Sequence, residues 1–172
     1  MKPHTWITRS RQVAALWILV VLVIVVGGLL DQLRPPGGWI GLEFPAMTDV
    51  MATNAPSLWQ PHERERALFA LGLDSLFLVL YPLLLSLLCA RAAENWRLPA
   101  WLANLCGLLA GVVLLAAPLD ALENAGLYLL IMGNESEALQ LFITAMAAPK
   151  WLLAITTGLV WLACIPIHLR RK

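Results

Sequence analysis

Carboxylic acid side chains recur within apolar stretches of this sequence. Asp74 lies in LGLDSLF, and Tyr81 follows seven residues later on the same helical face. Asp120, Glu123 and Asn124 follow one another at helical spacing, three and then one residue apart. Because two carboxyl groups can divide general acid and general base roles, Asp74 and Glu123 are the candidate catalytic acid and base.

Asp31 and Lys150 extend this candidate set, because Asp31 ends the first apolar stretch and Lys150 opens the last. Thr157 follows Lys150 by seven residues on the same helical face. If the apolar stretches pack as helices, they bring these polar groups to one level. The candidate ligand-binding residues are Asp31, Asp74, Tyr81, Asp120, Glu123, Asn124, Lys150 and Thr157. The alternative interpretation is that these groups only hydrogen-bond the helices to one another.

The composition indicates the elements that must position these residues. Of 172 residues, 60% are hydrophobic and 13% charged, and the mean hydropathy is +0.75. Soluble domains carry about 25% charged residues, so the composition excludes a soluble globule. A helical span needs about 20 apolar residues. We therefore predict one all-α domain over residues 1–172, a four-helix transmembrane bundle with spans at about 12–31, 67–90, 99–131 and 136–168.

The charges predict the orientation of this bundle. With both termini in the cytoplasm, the inner segments hold eight basic residues and one acid, and the outer segments hold four basic residues and ten acids. The net charges are +7 inside and −6 outside, as the positive-inside rule requires. The inner basic residues are Lys2, Arg9, Arg11, Arg91, Arg97, Arg170, Arg171 and Lys172. We expect a multi-pass protein of the plasma membrane, which in a bacterium is the inner membrane.

Residues 32–66 form a long, proline-rich outer loop in this arrangement. Phe44, Met47, Val50 and Met51 follow Pro45 at helical spacing and predict a short amphipathic helix on the outer face, either interfacial or a lid. Tryptophans near the predicted boundaries are expected to be interfacial anchors. They are Trp6, Trp96 and Trp101 on the inner side and Trp39, Trp59 and Trp151 on the outer side. Trp17 and Trp161 lie deeper and could line the bundle.

Other site classes find no support in the sequence. The histidines are far apart and form no metal-binding motif, and no phosphate loop or nucleophile elbow occurs. We expect no metal and no cofactor, and a net charge of +1 gives no case for nucleic acid. Cys89, Cys106 and Cys164 contain no C-x-x-C pair, which favours apolar packing over thiol redox chemistry.

Small residues repeat every four positions on the third span, at Ala103, Gly107 and Gly111. This spacing lets another helix approach closely. The neighbour is either another span of the same chain or a partner, namely a second copy or another membrane protein.

Two segments resemble the EXPERA family, which includes the emopamil-binding sterol isomerase. They are LLDQLRP around Asp31 and the stretch from LGLDSLF to Tyr81, within a layout of four spans and a long first outer loop. The resemblance implies a bundle pocket for sterols and amphiphilic amines, with Asp31 and Asp74 holding the cation of the ligand. The isomerases carry a histidine one turn before the second acid, where this chain has Ala70, so the resemblance argues against their reaction mechanism.

Two functions are consistent with these features. The first is a pocket, open to the outer leaflet, for an apolar or amphiphilic lipid-like molecule, either as a binding site or for isomerase- or cyclase-type acid/base chemistry. The second is a non-catalytic accessory subunit of a membrane complex. Proton or cation transport is disfavoured, because no acid lies in the inner half of any span.

Overall fold

A computed structural model describes residues 3–170, without the side chains of residues 3–12, 46, 47, 50 and 52. The described residues are 86% helical and contain no strand. Lys2, Arg171 and Lys172 therefore lie outside the described residues, as do the side chains of Trp6, Arg9, Arg11, Met47 and Val50.

Four long helical segments form the body of the fold. They are α1 (Pro3–Gln32), α5 (Pro61–Asn95), the pair α6 (Ala100–Val112) and α7 (Ala116–Ile131), and α8 (Glu137–Arg170). Within the described residues, four helices are long and apolar enough to cross a membrane: Val13–Gln32, Pro61–Asn95, Ala100–Ile131 and Glu137–Arg170. The predicted all-α fold with four helices long and apolar enough to span a membrane is confirmed.

A 3-10 turn at Val113–Leu115 separates α6 from α7. Pro118 lacks the backbone N–H that would bond to the carbonyl of Leu114, so the α-helical ladder is incomplete there. The 3-10 interruption lies just before this proline.

The connection between α1 and α5 consists of short helices: α2 (Trp39–Glu43), α3 (Pro45–Thr48), α4 (Val50–Thr53) and a 3-10 turn at Pro56–Leu58. The single amphipathic helix expected after Pro45 is therefore divided. Asp49 divides it, because its φ of 48° is left-handed. Gly37 and Gly38, with φ of 81° and 77°, turn the chain before α2, a conformation that favours glycine.

We call the end of the bundle that carries residues 33–60 the loop end, and the end that carries residues 91–99 the hairpin end. The apolar core at the loop end joins α2, α5, α7 and α8. It consists of Leu42, Trp59, Ala67, Leu71, Leu127, Leu130, Ile131 and Ile143. Because Leu42 is fully buried, α2 is part of the folded core and is not a surface appendage.

The three cysteines meet near the hairpin end, where α5, α6 and α8 pack together. All three are free and buried, and the Sγ atoms of Cys106 and Cys164 lie 3.4 Å apart. The sequence predicted apolar packing for each cysteine, but it gave no indication that they come together.

Helix α1 is peripheral. Val26 and Leu30 pack against Ala70 and Leu80 of α5, and the described members of this apolar cluster include none from α8. Trp17, expected to line the bundle, is 65% exposed and faces away from it.

The small-residue stripe on α6 also faces outward. Gly107 and Gly111 are exposed, and a Cβ built on either one meets no atom of the chain within 4 Å. The close approach of two helices occurs instead at Gly126 of α7, where a Cβ would lie 2.7 Å from Cγ1 of Ile143.

Candidate functional site

A cavity of about 530 Å³ lies at the loop end of the bundle. Its wall is mostly apolar, and its volume is within the range of about 300–1,000 Å³ typical of small-molecule sites. All four long helical segments and the chain around α2 contribute to it. The lining residues are Gly27, Leu30, Asp31, Arg34, Gly37, Gly38, Trp39, Ile40, Glu43, Leu71, Asp74, Phe77, Tyr81, Asp120, Glu123, Asn124, Leu127, Lys150, Trp151 and Ala154.

Lys150 is the centre of a buried ionic cluster in this wall. Its Nζ lies 2.6 Å from Oε2 of Glu123, 3.1 Å from Oδ1 of Asp120 and 3.7 Å from Oε1 of Glu43. Asp120 and Glu123 share one face of α7 because they are three residues apart. The four groups come from α2, α7 and α8, so the cluster ties these three elements together at the cavity.

The three carboxyl groups of this cluster have more acceptor oxygens than the single ammonium of Lys150 has N–H donors. The cluster therefore leaves acceptors without a partner. The side chains of Lys150, Asp120, Glu123 and Glu43 are each less than 10% exposed. Oε1 of Glu123 is buried and has no hydrogen-bond partner among the described residues. A buried polar atom without a partner costs about 1–3 kcal/mol, so a polar group placed here would be stabilised.

Asp74 and Asn124 form a second polar contact beside the cluster. Nδ2 of Asn124 donates to Oδ2 of Asp74 at 2.6 Å, which joins α5 to α7. Tyr81 lies two helical turns along α5, and its ring packs against Phe77 with centroids 5.3 Å apart. The buried Tyr81 hydroxyl is near Asp120 but makes no hydrogen bond of standard geometry.

The structure brings most of the expected ligand-binding residues to this cavity. Six of the eight form a polar patch in its mostly apolar wall: Asp74, Tyr81, Asp120, Glu123, Asn124 and Lys150. Asp31 lines the rim, where its side chain is 66% exposed and forms an ion pair with Arg34. The candidate acid and base, Asp74 and Glu123, both face the cavity.

Thr157 is the exception and requires a correction. It is fully buried but does not line the cavity, and its carbonyl accepts a hydrogen bond from Sγ of Cys89 at 3.9 Å. Seven residues of helix place it about 10 Å along α8 from Lys150. On α8 the cavity lining extends from Lys150 to Ala154, one turn away, and does not reach Thr157, two turns away.

Glu43 is a site residue that the sequence did not reveal. Its Oε2 accepts a hydrogen bond from Nε1 of Trp151 at 2.6 Å, and its carbonyl accepts one from Oγ1 of Thr144 at 2.7 Å. The sequence pattern predicted the whole of segment 32–66 on the outer face. The available signal was the short apolar run WIGLEF, in which a single acid is surrounded by residues suited to a core.

Trp39 and Trp151 were expected to be interfacial anchors, and the structure places both in the cavity wall. Nε1 of Trp39 is buried and has no partner among the described residues. Together with the Tyr81 hydroxyl and Oε1 of Glu123, it forms a set of three unpartnered polar atoms in a mostly apolar wall. Two of these atoms can donate hydrogen bonds and one can accept.

The chemistry available here is hydrogen bonding and proton transfer by carboxyl groups. Among residues 3–170, no group of three or more His, Cys, Asp or Glu side chains has the geometry to hold a metal ion. Comparisons of this chain with models of protein families, with curated proteins and with solved structures found no match.

Proposed function

We propose that the cavity at the loop end binds an apolar or amphiphilic, lipid-like small molecule. The observation that carries this proposal is the set of three unpartnered polar atoms, on Trp39, Tyr81 and Glu123, in a mostly apolar cavity. Ligand sites combine apolar walls with a few convergent polar groups. The polar end of the ligand would lie against these atoms, and its apolar part would fill the remaining space.

The lipid phase is the proposed source of this ligand. Helix α1 packs against α5 through Val26 and Leu30, whereas Trp151 and Ala154 of α8 line the same cavity as α1. A gap between α1 and α8 is therefore the proposed lateral entrance. The charge asymmetry of +7 and −6 supports an orientation with both termini in the cytoplasm and the loop end at the outer leaflet.

Catalysis is an extension of this binding function. In isomerase- or cyclase-type chemistry, one carboxyl group of Asp74 and Glu123 would protonate an olefin or epoxide, and the other would accept a proton. The faces of Trp39 and Tyr81 would stabilise positive charge that develops on the ligand. Membership of the EXPERA family is likewise a proposal, in which Asp31 and Asp74 would hold the ligand.

Lipid analysis of the purified protein tests the binding function. The protein is extracted with its native lipids, and co-purifying molecules are identified by mass spectrometry for the wild type, for Asp74→Ala and for Glu94→Ala as a control at the hairpin end. We expect one small molecule enriched with the wild type and the control and lost from Asp74→Ala. If no molecule is enriched over bulk lipid in the wild type, the proposal is wrong.

A second candidate function is that of an accessory subunit, and the outward stripe on α6 favours it. Gly107 and Gly111 have open space around them, so a helix of a second copy or of another membrane protein could approach closely. Ala103, one turn earlier, is half-buried. Gly107→Leu would block such contact, and we expect the variant to sediment as a smaller particle than the wild type. Identical sedimentation would count against this function.

A further inference from the structure

We propose that a second pocket, beside the mouth of the cavity, binds the phosphate group of a lipid headgroup. This pocket has a volume of about 290 Å³ and is lined by Arg34, Pro35, Pro36, His62, Glu63 and Arg66. It deepens the proposed function, because Arg34 lines both this pocket and the cavity. The ligand class it implies is a phosphate-bearing amphiphile.

The basic side chains of this pocket come from two segments of the chain. Arg34 follows the end of α1, and His62 and Arg66 lie one turn apart on the first turns of α5. Arg66 donates a hydrogen bond to the carbonyl of Gln32, which holds the start of α5 against the end of α1. The guanidinium groups are thereby held at one pocket, where their remaining N–H donors suit phosphate oxygens.

The two acids near these arginines are engaged elsewhere or exposed. Oε2 of Glu63 accepts a hydrogen bond from the backbone N–H of Gln60 at 2.7 Å, as part of the capping box of α5. Asp31 forms an exposed ion pair with Arg34, and such pairs contribute about 0–1 kcal/mol. A phosphate can therefore compete for Arg34. The positive N-terminal end of the 35-residue helix α5 favours an anion at the same place.

The depth of the pocket fits a lipid rather than an anion from solution. The first apolar span ends at Gln32 and the second helix begins at Pro61, so the pocket lies at the level where a span meets the headgroup layer. The ionic cluster deeper in the cavity contains three carboxyl groups around Lys150, which repel an anion. The phosphate would therefore stay at the rim, and an uncharged part of the lipid would enter the cavity.

Native mass spectrometry in detergent tests this assignment with two matched probes, phosphatidylglycerol and diacylglycerol, which share acyl chains but differ in the phosphoglycerol headgroup. We expect the wild type to retain phosphatidylglycerol preferentially, and Arg34→Ala/Arg66→Ala to retain about tenfold less of it. Arg91→Ala, at the hairpin end, serves as the control and should retain as much as the wild type. Equal retention of the two probes by the wild type, or full retention of phosphatidylglycerol by the double variant, would overturn the proposal.

Two further comparisons distinguish a lipid phosphate from a free anion, and the phosphate pocket from the proposed function of the cavity. Millimolar inorganic phosphate should leave phosphatidylglycerol bound, and its complete displacement would overturn the assignment to lipid in favour of a free anion. If the double variant retains phosphatidylglycerol while Asp74→Ala still loses its co-purified molecule, the phosphate pocket is wrong and the cavity function stands. If the double variant loses phosphatidylglycerol and no molecule is enriched in the cavity, the phosphate pocket stands alone.

Discussion

The ammonium of Lys150 lies 2.6 Å from Oε2 of Glu123, and both side chains are buried, at 9% and 1% exposure. This contact joins α7 to α8 in the wall of the cavity. Because Asp120 and Glu43 lie around the same ammonium, the positive charge of Lys150 allows three carboxyl groups to share this wall. The stability of the loop end should therefore depend on it.

Replacing Lys150 with methionine should strongly destabilise the fold. The variant leaves Glu123 and its neighbours buried without a cation, which costs about 3–5 kcal/mol. Lys150→Met/Glu123→Gln should recover part of this loss, because one buried carboxyl group is removed as well. Unfolding in mixed detergent micelles measures both variants. Equal stabilities for Lys150→Met and the wild type would contradict this account of the cluster.

Glu43 should hold α2 against the bundle. Glu43→Ala removes the acceptor for Nε1 of Trp151, and the loss of this part-buried hydrogen bond costs about 0.5–1.5 kcal/mol. Chymotrypsin should then cleave the segment at Trp39 and Phe44 faster than in the wild type. Glu43→Gln keeps an acceptor oxygen for Trp151 and is the matched control, with slower cleavage than Glu43→Ala. If Glu43→Ala is cleaved at the wild-type rate, Glu43 does not hold this segment.

Gly126 and Gly107 should respond in opposite ways to the same change. A Cβ at Gly126 would lie 2.7 Å from Cγ1 of Ile143, so Gly126→Ala should cost about 1–3 kcal/mol through overpacking. A Cβ at Gly107 meets nothing within 4 Å, so Gly107→Ala should be neutral or stabilising by up to about 1 kcal/mol, because alanine favours helix. Unfolding of the two variants gives the comparison, and a larger loss at Gly107 would contradict the packing of α7 against α8.

Labelling of single cysteines tests the proposed orientation. In a chain with Cys89, Cys106 and Cys164 replaced by alanine, Glu137→Cys and Glu94→Cys each place one exposed thiol at opposite ends of the bundle. A membrane-impermeant maleimide added to intact cells should label the thiol at position 137 and spare the one at position 94. Labelling of position 94 alone would show that the protein has the opposite orientation and would contradict the proposal.

The span positions could be predicted from sequence because a run of about 20 consecutive apolar residues is the length a helix needs to cross a bilayer. Helical spacing also placed Asp120, Glu123 and Asn124 on one face, and all three line the cavity. These inferences depend only on the length of apolar runs and on the spacing of nearby residues, and both can be read directly from the sequence.

The remaining features depend on which surfaces face each other, and a periodicity cannot show this. Glu43 reaches Lys150 across more than 100 residues of chain, and no local pattern in residues 32–66 predicts that contact. The small-residue stripe suggested close packing of α6, yet Gly107 faces outward. Gly126, which belongs to no such stripe, contacts α8 instead. Helical spacing also could not show how far the cavity extends along α8, and for this reason Thr157 was wrongly included among the ligand-binding residues.

Site-specific photocrosslinking tests the central claim, a ligand in the cavity, most directly. A benzoylphenylalanine replaces Phe77, which lines the cavity, or Leu76, which is 49% exposed on the outside of the same helix. After irradiation in native membranes, the crosslinked molecules are identified by mass spectrometry. We expect one predominant lipid-like adduct at position 77 and a mixture that mirrors bulk lipid at position 76. The same bulk mixture at both positions, or no adduct at position 77, would contradict the claim.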